Sequence, residues 1–323
     1  MGLPPKLLIQ SGRFVWSTMW AVMMKQMAPS DRQGRYQRPE SQFREAIASE
    51  AEPKGRYTLL VGMGCPWAHR TLLTRAVKGL ESVIDVVVVQ PSPEDGGWIF
   101  ADADSKWKTV REFYLSINPS YDGRCTVPVL WDREAHAIIN NESSEIIEML
   151  NAQFNDWAEH PHLDLYPVDL QAEIDEWNQL IYDGVNNGVY QCGFAQTQAA
   201  YDEACDRLFE TLDKIESVLQ KQRYLLGAQL TLADIRLFPT IFRFDSVYYS
   251  LFKCNRRAIR DYTALSAYLR DLYQYPGVAD TCDVDQVKKD YFGNLFPLNP
   301  GGLIPQGPDM SYLSKPHGRE SFV

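Results

Sequence analysis

Short apolar segments alternate with helical patterns in the first half of the chain. Residues 57–62 form an apolar run that ends in glycine, and a helical pattern follows from Pro66 to Val77. Residues 83–89 are almost wholly β-branched, which predicts a strand that is covered on both faces and pairs beside the first. The pattern therefore predicts a strand, a turn, a helix and a second strand.

Two more strands and a helix follow in this half. Residues 126–131 and 137–140 predict short strands around a polar turn, and a helix begins at Glu142 and Ser143. Residues 91–124 have no clear period and predict a long irregular insertion. This order is typical of a thioredoxin-like sheet, although another small α/β domain fits the same pattern.

The second half of the chain is helical. Three apolar stripes each predict an amphipathic helix, in residues 170–181, 208–219 and 265–272. Thr231 lies three residues before Asp234, the spacing of a reciprocal N-cap, and an apolar helix follows over residues 235–251. We therefore assign Asp234 to structure. The tail from Pro297 is rich in proline and glycine and predicts irregular structure.

These patterns predict a mixed architecture, with an α/β domain followed by an all-α domain. We place an N-terminal arm and lead-in at residues 1–54, a thioredoxin-like domain at 55–160, a linker at 161–167 and an all-helical domain with an irregular tail at 168–323. The first 28 residues are basic and apolar but contain no run long enough for a membrane span. We expect an arm that packs on the body, and a membrane-surface helix is the alternative.

Composition narrows the classes of partner. The net charge is −10, which argues against a nucleic-acid partner, because phosphate backbones bind basic surfaces. Six cysteines are spread singly, without the spacing of a disulfide framework or a zinc site. This usage predicts a reducing compartment, which we take to be the cytoplasm.

Cys65 is the strongest candidate for a nucleophile. It follows two glycines and precedes a predicted helix, so its sulfur is expected near unpaired N–H groups that favour a thiolate at neutral pH. A buried structural cysteine is the alternative. Ala68 stands where a dithiol enzyme has its second cysteine. A mixed disulfide on Cys65 would therefore need an external thiol, and in a reducing compartment this indicates glutathione.

Residues farther along the chain can bind such a peptide. Pro128 lies close to a predicted strand. Proline is unusual there unless it shapes the edge of the strand or its peptide bond is cis. Ser143 and the first N–H groups of its helix can bind a carboxylate, and Glu142 can bind an ammonium group. Both residues are also ordinary at helix starts. His69, one turn past Cys65, either tunes the thiol or forms a structural hydrogen bond.

Other motifs favour neither a nucleotide nor a metal. The sequence Gly62-Met63-Gly64 lacks the third glycine of a dinucleotide fingerprint. His160 and His162 have no cysteine or carboxylate at ligand spacing. We therefore predict no metal and no nucleotide cofactor.

A series of short segments also carries a family resemblance. In chain order they are residues 65–71, 97–98, 123–124, 126–131, 140–144, 185–190, 233–238, 243–245 and 252–255. Together they resemble the glutathionyl-hydroquinone reductases, the Xi class of the glutathione transferases. The match extends from about Gly34 to the proline-rich tail.

The resemblance implies a glutathione transferase fold, glutathione as co-substrate and a homodimer. It implies that Cys65 is the nucleophile and Tyr190 the proton-transferring residue. The hydroxyls of Tyr248 and Tyr291 would stabilise the thiolate and line the pocket for the aromatic substrate. The implied glutathione site consists of Trp98, Arg124, Cys125, Thr126, Val127, Glu142 and Ser143.

The implied reaction is the reduction of glutathionyl-hydroquinones. Cys65 attacks the thioether sulfur and releases a hydroquinone, and a second glutathione resolves the mixed disulfide to oxidised glutathione. An omega-like thioltransferase or dehydroascorbate reductase is one alternative, and a non-catalytic binding module on the same fold is another. Leu251 and Phe292 depart from the family pattern, and we expect both on the substrate side.

Overall fold

The computed structural model describes residues 4–47, 53–92 and 94–322. The strands are β1 (Tyr57–Val61), β2 (Asp85–Ser92), β3 (Gly97–Phe100), β4 (Val129–Asp132) and β5 (Ala137–Asn140). The helices are α1 (Pro5–Met27), α2 (Pro66–Lys78), α3 (Val110–Ile117), α4 (Ser143–Ala152), α5 (Gln171–Ile181), α6 (Gly188–Phe194), α7 (Gln198–Leu219), α8 (Leu232–Arg243), α9 (Tyr249–Leu251), α10 (Thr263–Tyr273) and α11 (Val284–Asn294).

The strands form a mixed sheet in the order β3-β2-β1-β4-β5. β1 and β2 are parallel, and the other neighbouring pairs are antiparallel. Helix α2 crosses between the two parallel strands, as a parallel connection requires. The helices after α4 supply the second part of the predicted architecture, so the α/β plus all-α fold class is confirmed. The linker and the domain bounds remain predictions.

The stretch predicted as an irregular insertion contains regular structure. Residues 91–124 include β3, which pairs with β2 at the sheet edge, and α3. Thr109 caps α3: its Oγ1 accepts from the Glu112 N–H at 3.1 Å, and the Glu112 carboxylate accepts from the Thr109 N–H at 3.3 Å. The prediction was wrong because a four-residue strand is too short for a period, whereas the Thr-x-x-Glu spacing was a usable helix signal.

The β-branched run at residues 83–89 also differs from its prediction. β2 begins only at Asp85, Val86 and Val87 are half-buried, and Val88 is exposed. The expected burial on both faces is therefore wrong. β-branching here reflects the preference of these side chains for extended backbone rather than their burial.

Helix α8 begins with the predicted reciprocal cap. The buried Asp234 carboxylate accepts from the Thr231 N–H at 2.9 Å, from the Leu225 N–H at 3.0 Å and from the Tyr268 hydroxyl at 2.7 Å. These bonds occupy the carboxylate within the helical core, consistent with the structural assignment. The predicted helix over residues 235–251 is present as one continuous helical stretch, in which a π-helical turn at Phe244–Tyr248 joins α8 to α9.

The N-terminal arm is a helix of 23 residues, and most of it does not pack on the body. Every residue from Pro4 to Met19 is exposed, and only Met24 is buried within α1. The expectation of a packed arm is therefore wrong for most of its length. Residues 1–3 and 48–52 of the predicted arm and lead-in lie outside the described part. Among the described residues, no helix is long and apolar enough to cross a membrane.

Candidate active site

The loop between β1 and α2 presents Cys65. Cys65 is the N-cap residue of α2, with Pro66 in the first helical turn, and its Sγ lies 3.4 Å from the carbonyl oxygen of Val127. Both glycines before it are needed for close packing. A Cβ on Gly62 would lie 2.2 Å from the Trp98 ring, and a Cβ on Gly64 would lie 2.6 Å from Asp290. The loop is therefore built around these two neighbours.

Two residues of the helical domain hold this loop. Arg243, at the end of α8, donates to the carbonyl oxygens of Met63 at 2.6 Å and Gly64 at 3.0 Å. Asp290, on α11, accepts from the Gly64 N–H at 2.8 Å. The backbone that carries the thiol is thus fixed from outside its own domain.

His69 belongs to the same structural network. Its Nδ1 accepts from Arg243 at 2.8 Å, so its Nε2 carries the proton and donates to Thr281 Oγ1 at 2.8 Å. Burial and the nearby Arg243 charge hold the pKa of His69 well below its ordinary value. A neutral His69 bonded in this way supports the structural alternative rather than tuning of the thiol.

A cavity beside Cys65 brings together most of the predicted glutathione site. Trp98, Arg124, Thr126, Val127, Glu142 and Ser143 all line it. Cys125 does not line it, because its side chain packs against the hydrophobic core that contains the sheet. We call this space the Cys65 cavity.

Glu142 is a preformed anionic group in this cavity. Its carboxylate accepts from the Ser144 N–H at 3.2 Å and from the Ser41 hydroxyl at 3.0 Å. Burial opposes its ionisation, but these hydrogen bonds and the nearby Arg38 charge outweigh burial and lower the pKa of Glu142. The group is therefore a carboxylate that can bind a cation at neutral pH.

The three predicted tyrosines meet through their hydroxyl groups. The Tyr291 hydroxyl lies 2.7 Å from that of Tyr190 and 3.0 Å from that of Tyr248. Burial is the main cause that raises the pKa of Tyr190 well above its ordinary value and that of Tyr248 to about 12. All three are protonated at neutral pH. Tyr190 and Tyr291 line the Cys65 cavity, whereas Tyr248 lies behind them.

The residues that depart from the family pattern lie elsewhere. Leu251 and Phe292 are buried in the helical core and do not line the Cys65 cavity. The expectation that both face the substrate is therefore wrong. Successive side chains of a helix point about 100° apart, so Asp290 and Tyr291 on α11 reach the cavity while Phe292 packs in the core.

Sequence reasoning missed the contribution of the lead-in. Tyr36, Arg38 and Ser41 line the Cys65 cavity, and the Arg38 guanidinium lies 3.8 Å from the centroid of the Trp67 ring. The buried Arg70 lies over the same ring at 4.4 Å. The available signal was the start of the family resemblance at Gly34, well before the first strand.

Burial of the Cys65 sulfur opposes the thiolate that the sequence predicts. Burial raises the pKa of the Cys65 thiol, and it outweighs the opposing effects of the Ala68 N–H, the Arg38 charge, the Trp67 N–H and the Arg243 charge. We therefore expect Cys65 to be mainly a thiol at neutral pH. The helix start lowers the pKa as predicted, but desolvation of the charged sulfur is the larger effect.

We expect alkylation of Cys65 by iodoacetamide to accelerate by about tenfold per pH unit around neutral pH, because only the thiolate reacts. Arg38→Gln should be alkylated severalfold more slowly at the same pH, since the Arg38 charge favours the thiolate. Mass spectrometry of the labelled peptide measures both rates. Cys282 should react more slowly than Cys65, because burial raises its pKa to about 12.

Arg35→Gln is the matched control, since Arg35 pairs with Glu203 at the surface, 2.8 Å away, rather than lining the cavity. A rate that is flat between pH 6 and 9 would mean that Cys65 is already a thiolate. Equal alkylation rates for the two arginine variants would show that the Arg38 charge does not affect the reactivity of Cys65.

No group of three or more metal-binding side chains occurs within the described ranges. Two family models match the chain: the glutathione S-transferase N-terminal domain over residues 64–153 and the C-terminal domain over residues 198–271. These matches include Cys65, the Val127 segment that precedes β4 and helix α7.

Full-length relatives narrow the family. Glutathionyl-hydroquinone reductase YqjG of Escherichia coli is 45% identical over 89% of this chain and 93% of its own. Glutathionyl-hydroquinone reductase PcpF of Sphingobium chlorophenolicum is 44% identical over 85% of this chain and 90% of its own.

Solved structures of similar proteins indicate the same family. The glutathione S-transferase Xi of Phanerochaete chrysosporium superposes with a TM-score of 0.83 at 47% identity, covering 87% of this chain and 95% of that one. The glutathione-bound structure of Escherichia coli YqjG gives 0.80 at 48% identity, covering 83% and 89%. The chain therefore belongs to the glutathione S-transferase family, within its Xi class of glutathionyl-hydroquinone reductases.

Proposed function

We propose that this protein is a glutathione-dependent reductase of glutathionyl-hydroquinones. The observation that carries the proposal is the convergence of Cys65 and the protonated Tyr190 on one cavity. A thiol can accept a glutathionyl group there, and a hydroxyl can deliver the proton that the leaving ring needs. The family to which the chain belongs supports the same reaction.

Glutathione is the proposed co-substrate, and its binding site is the part of the cavity near β4 and α4. The Val127 backbone lies beside Cys65 and can pair with the peptide. The Glu142 carboxylate can bind the α-ammonium group, and Ser143 at the start of α4 can bind a carboxylate. Trp98, Arg124 and Thr126 line the same space. The related YqjG has been solved with glutathione bound.

The first chemical step transfers the glutathionyl group to the enzyme. The Cys65 sulfur attacks the glutathione sulfur of the aryl thioether, so an S–S bond forms and the bond from sulfur to the ring carbon breaks. Tyr190 donates a proton to that carbon, and hydroquinone leaves. Tyr190 regains a proton, so the net change moves the thiol proton of Cys65 to the ring. Tyr291 and Tyr248 hydrogen bond in series behind it.

The second step restores the enzyme. The thiolate of another glutathione attacks the mixed disulfide, forms oxidised glutathione and releases Cys65. Over the whole cycle the ring carbon is reduced by two electrons, which the two glutathione sulfurs supply as they form the disulfide, and Cys65 returns to its starting state. Because the enzyme is modified between the two steps, ping-pong kinetics are expected. We also propose that the protein acts as a homodimer and in the cytoplasm, by analogy with the family and from its unpaired cysteines.

The test is a turnover assay of the native protein with a glutathionyl-hydroquinone and free glutathione. Hydroquinone and oxidised glutathione should appear in equal amounts, with parallel double-reciprocal lines. Dehydroascorbate is the comparison substrate. Faster reduction of dehydroascorbate than of the thioether, measured as kcat/KM, would favour an omega-like activity and contradict the proposal.

A further inference from the structure

Helix α1 differs in charge from the rest of the chain. It and its flanks, residues 1–30, contain Lys6, Arg13 and Lys25 but no acidic residue. All 42 acidic residues and the other 29 of the 32 basic ones follow, so the remainder carries a net charge of −13. A cationic segment is thus attached to a strongly anionic body.

The exposed part of α1 also carries an apolar face. Leu8, Val15, Met19 and Val22 recur at helical spacing and are 60%, 54%, 49% and 59% exposed. Lys6 and Arg13 are seven residues apart and therefore share another face of the helix. Basic and apolar faces on one helix are typical of segments that lie in a lipid interface.

The exposed part of α1 is long enough to contact an anionic surface while the acidic body remains beyond the range of strong repulsion from that surface. Beyond the contact of Trp16 with Phe296, the 11 residues 5–15 of α1 are all exposed and extend about 16 Å at 1.5 Å per residue. The screening length at physiological salt is about 8 Å. A negatively charged surface therefore attracts the basic helix at a separation where the field of the body is largely screened.

We propose that α1 docks on an anionic lipid surface, with its apolar face buried between the lipid headgroups. A second copy of α1 is a weaker occupant, because the two helices carry the same charge. A stripe of four side chains is also small beside the roughly 800 Å² per partner of a stable protein interface. The helix is continuous with the catalytic region: Met27 lines the Cys65 cavity, and Trp16 packs against Phe296 with ring centroids 6.1 Å apart.

The test is sedimentation of the full-length protein with lipid vesicles. Binding to vesicles that contain phosphatidylglycerol should be about thirtyfold tighter than to phosphatidylcholine alone, given Lys6 and Arg13 in the exposed part of α1. High salt should weaken it. The double variant Val15→Glu, Met19→Glu should lose at least about tenfold in affinity, because it places two charges in the apolar face.

Val168→Glu is the matched control, since Val168 is 85% exposed and lies outside α1. It should bind vesicles as the native protein does, and the melting temperatures of all variants should agree. Absence of binding, equal binding to both vesicle types, or unchanged binding of the double variant would each overturn the proposal. If the protein instead oligomerises through Val15 and Met19 and does not bind vesicles, the occupant of the apolar face of α1 is a second copy of the chain.

Discussion

Replacing Cys65 by serine is expected to reduce the turnover of a glutathionyl-hydroquinone by at least about a thousandfold. A hydroxyl at this position is a far weaker nucleophile than a thiol and cannot form the mixed disulfide. The loop itself should persist, because Arg243 and Asp290 hold the backbone of Met63 and Gly64 rather than the sulfur. Steady-state kinetics and mass spectrometry of the glutathionylated enzyme measure the effect.

Cys282→Ser is the control for this substitution. Cys282 is another half-buried cysteine, it does not line the Cys65 cavity, and its Sγ lies 3.8 Å from His69 Nε2. The turnover of Cys282→Ser should remain within a fewfold of that of the native protein. If Cys65→Ser retains turnover, the sulfur is not the nucleophile. If neither native protein nor variant turns over, yet both bind glutathione, the fold serves as a binding module.

Tyr190→Phe should separate two activities that share Cys65. Loss of a general acid typically slows a reaction by roughly a hundredfold or more, so hydroquinone release should fall by that factor. Exchange of glutathione with a simple disulfide needs no proton on a ring carbon and should change little. The ring of Tyr190 packs against those of Trp67, Phe194 and Phe252, and phenylalanine preserves these contacts.

Tyr201→Phe controls for the loss of a hydroxyl elsewhere. The Tyr201 hydroxyl donates to the Lys253 carbonyl oxygen at 2.7 Å and does not line the Cys65 cavity, so both activities should remain. Parallel loss of both activities in Tyr190→Phe would make Tyr190 structural or a modulator of Cys65. Retention of both would mean that the proton comes from water or from another tyrosine.

Local patterns were sufficient where a structure depends on neighbours in sequence. The turn before Cys65, Pro66 in the first helical turn and the cap formed by Thr231 and Asp234 all involve residues within a few positions. Such features follow from backbone hydrogen bonding at helix ends. The same reasoning failed for β2 and for residues 91–124, because burial and short strands depend on what packs beside them.

The sequence by itself determined the fold class, the location of the candidate nucleophile and, through family resemblance, the residues proposed to bind glutathione. Only the tertiary structure decided that Tyr190, Tyr248 and Tyr291 share a hydrogen-bonded chain. It also decided that Arg243 and Asp290 hold the Cys65 loop across 179 and 226 positions of sequence. Periodicity shows which face of a helix or strand is apolar, but not which distant element packs against that face. The burial that raises the pKa of Cys65 arises only from this packing between distant elements.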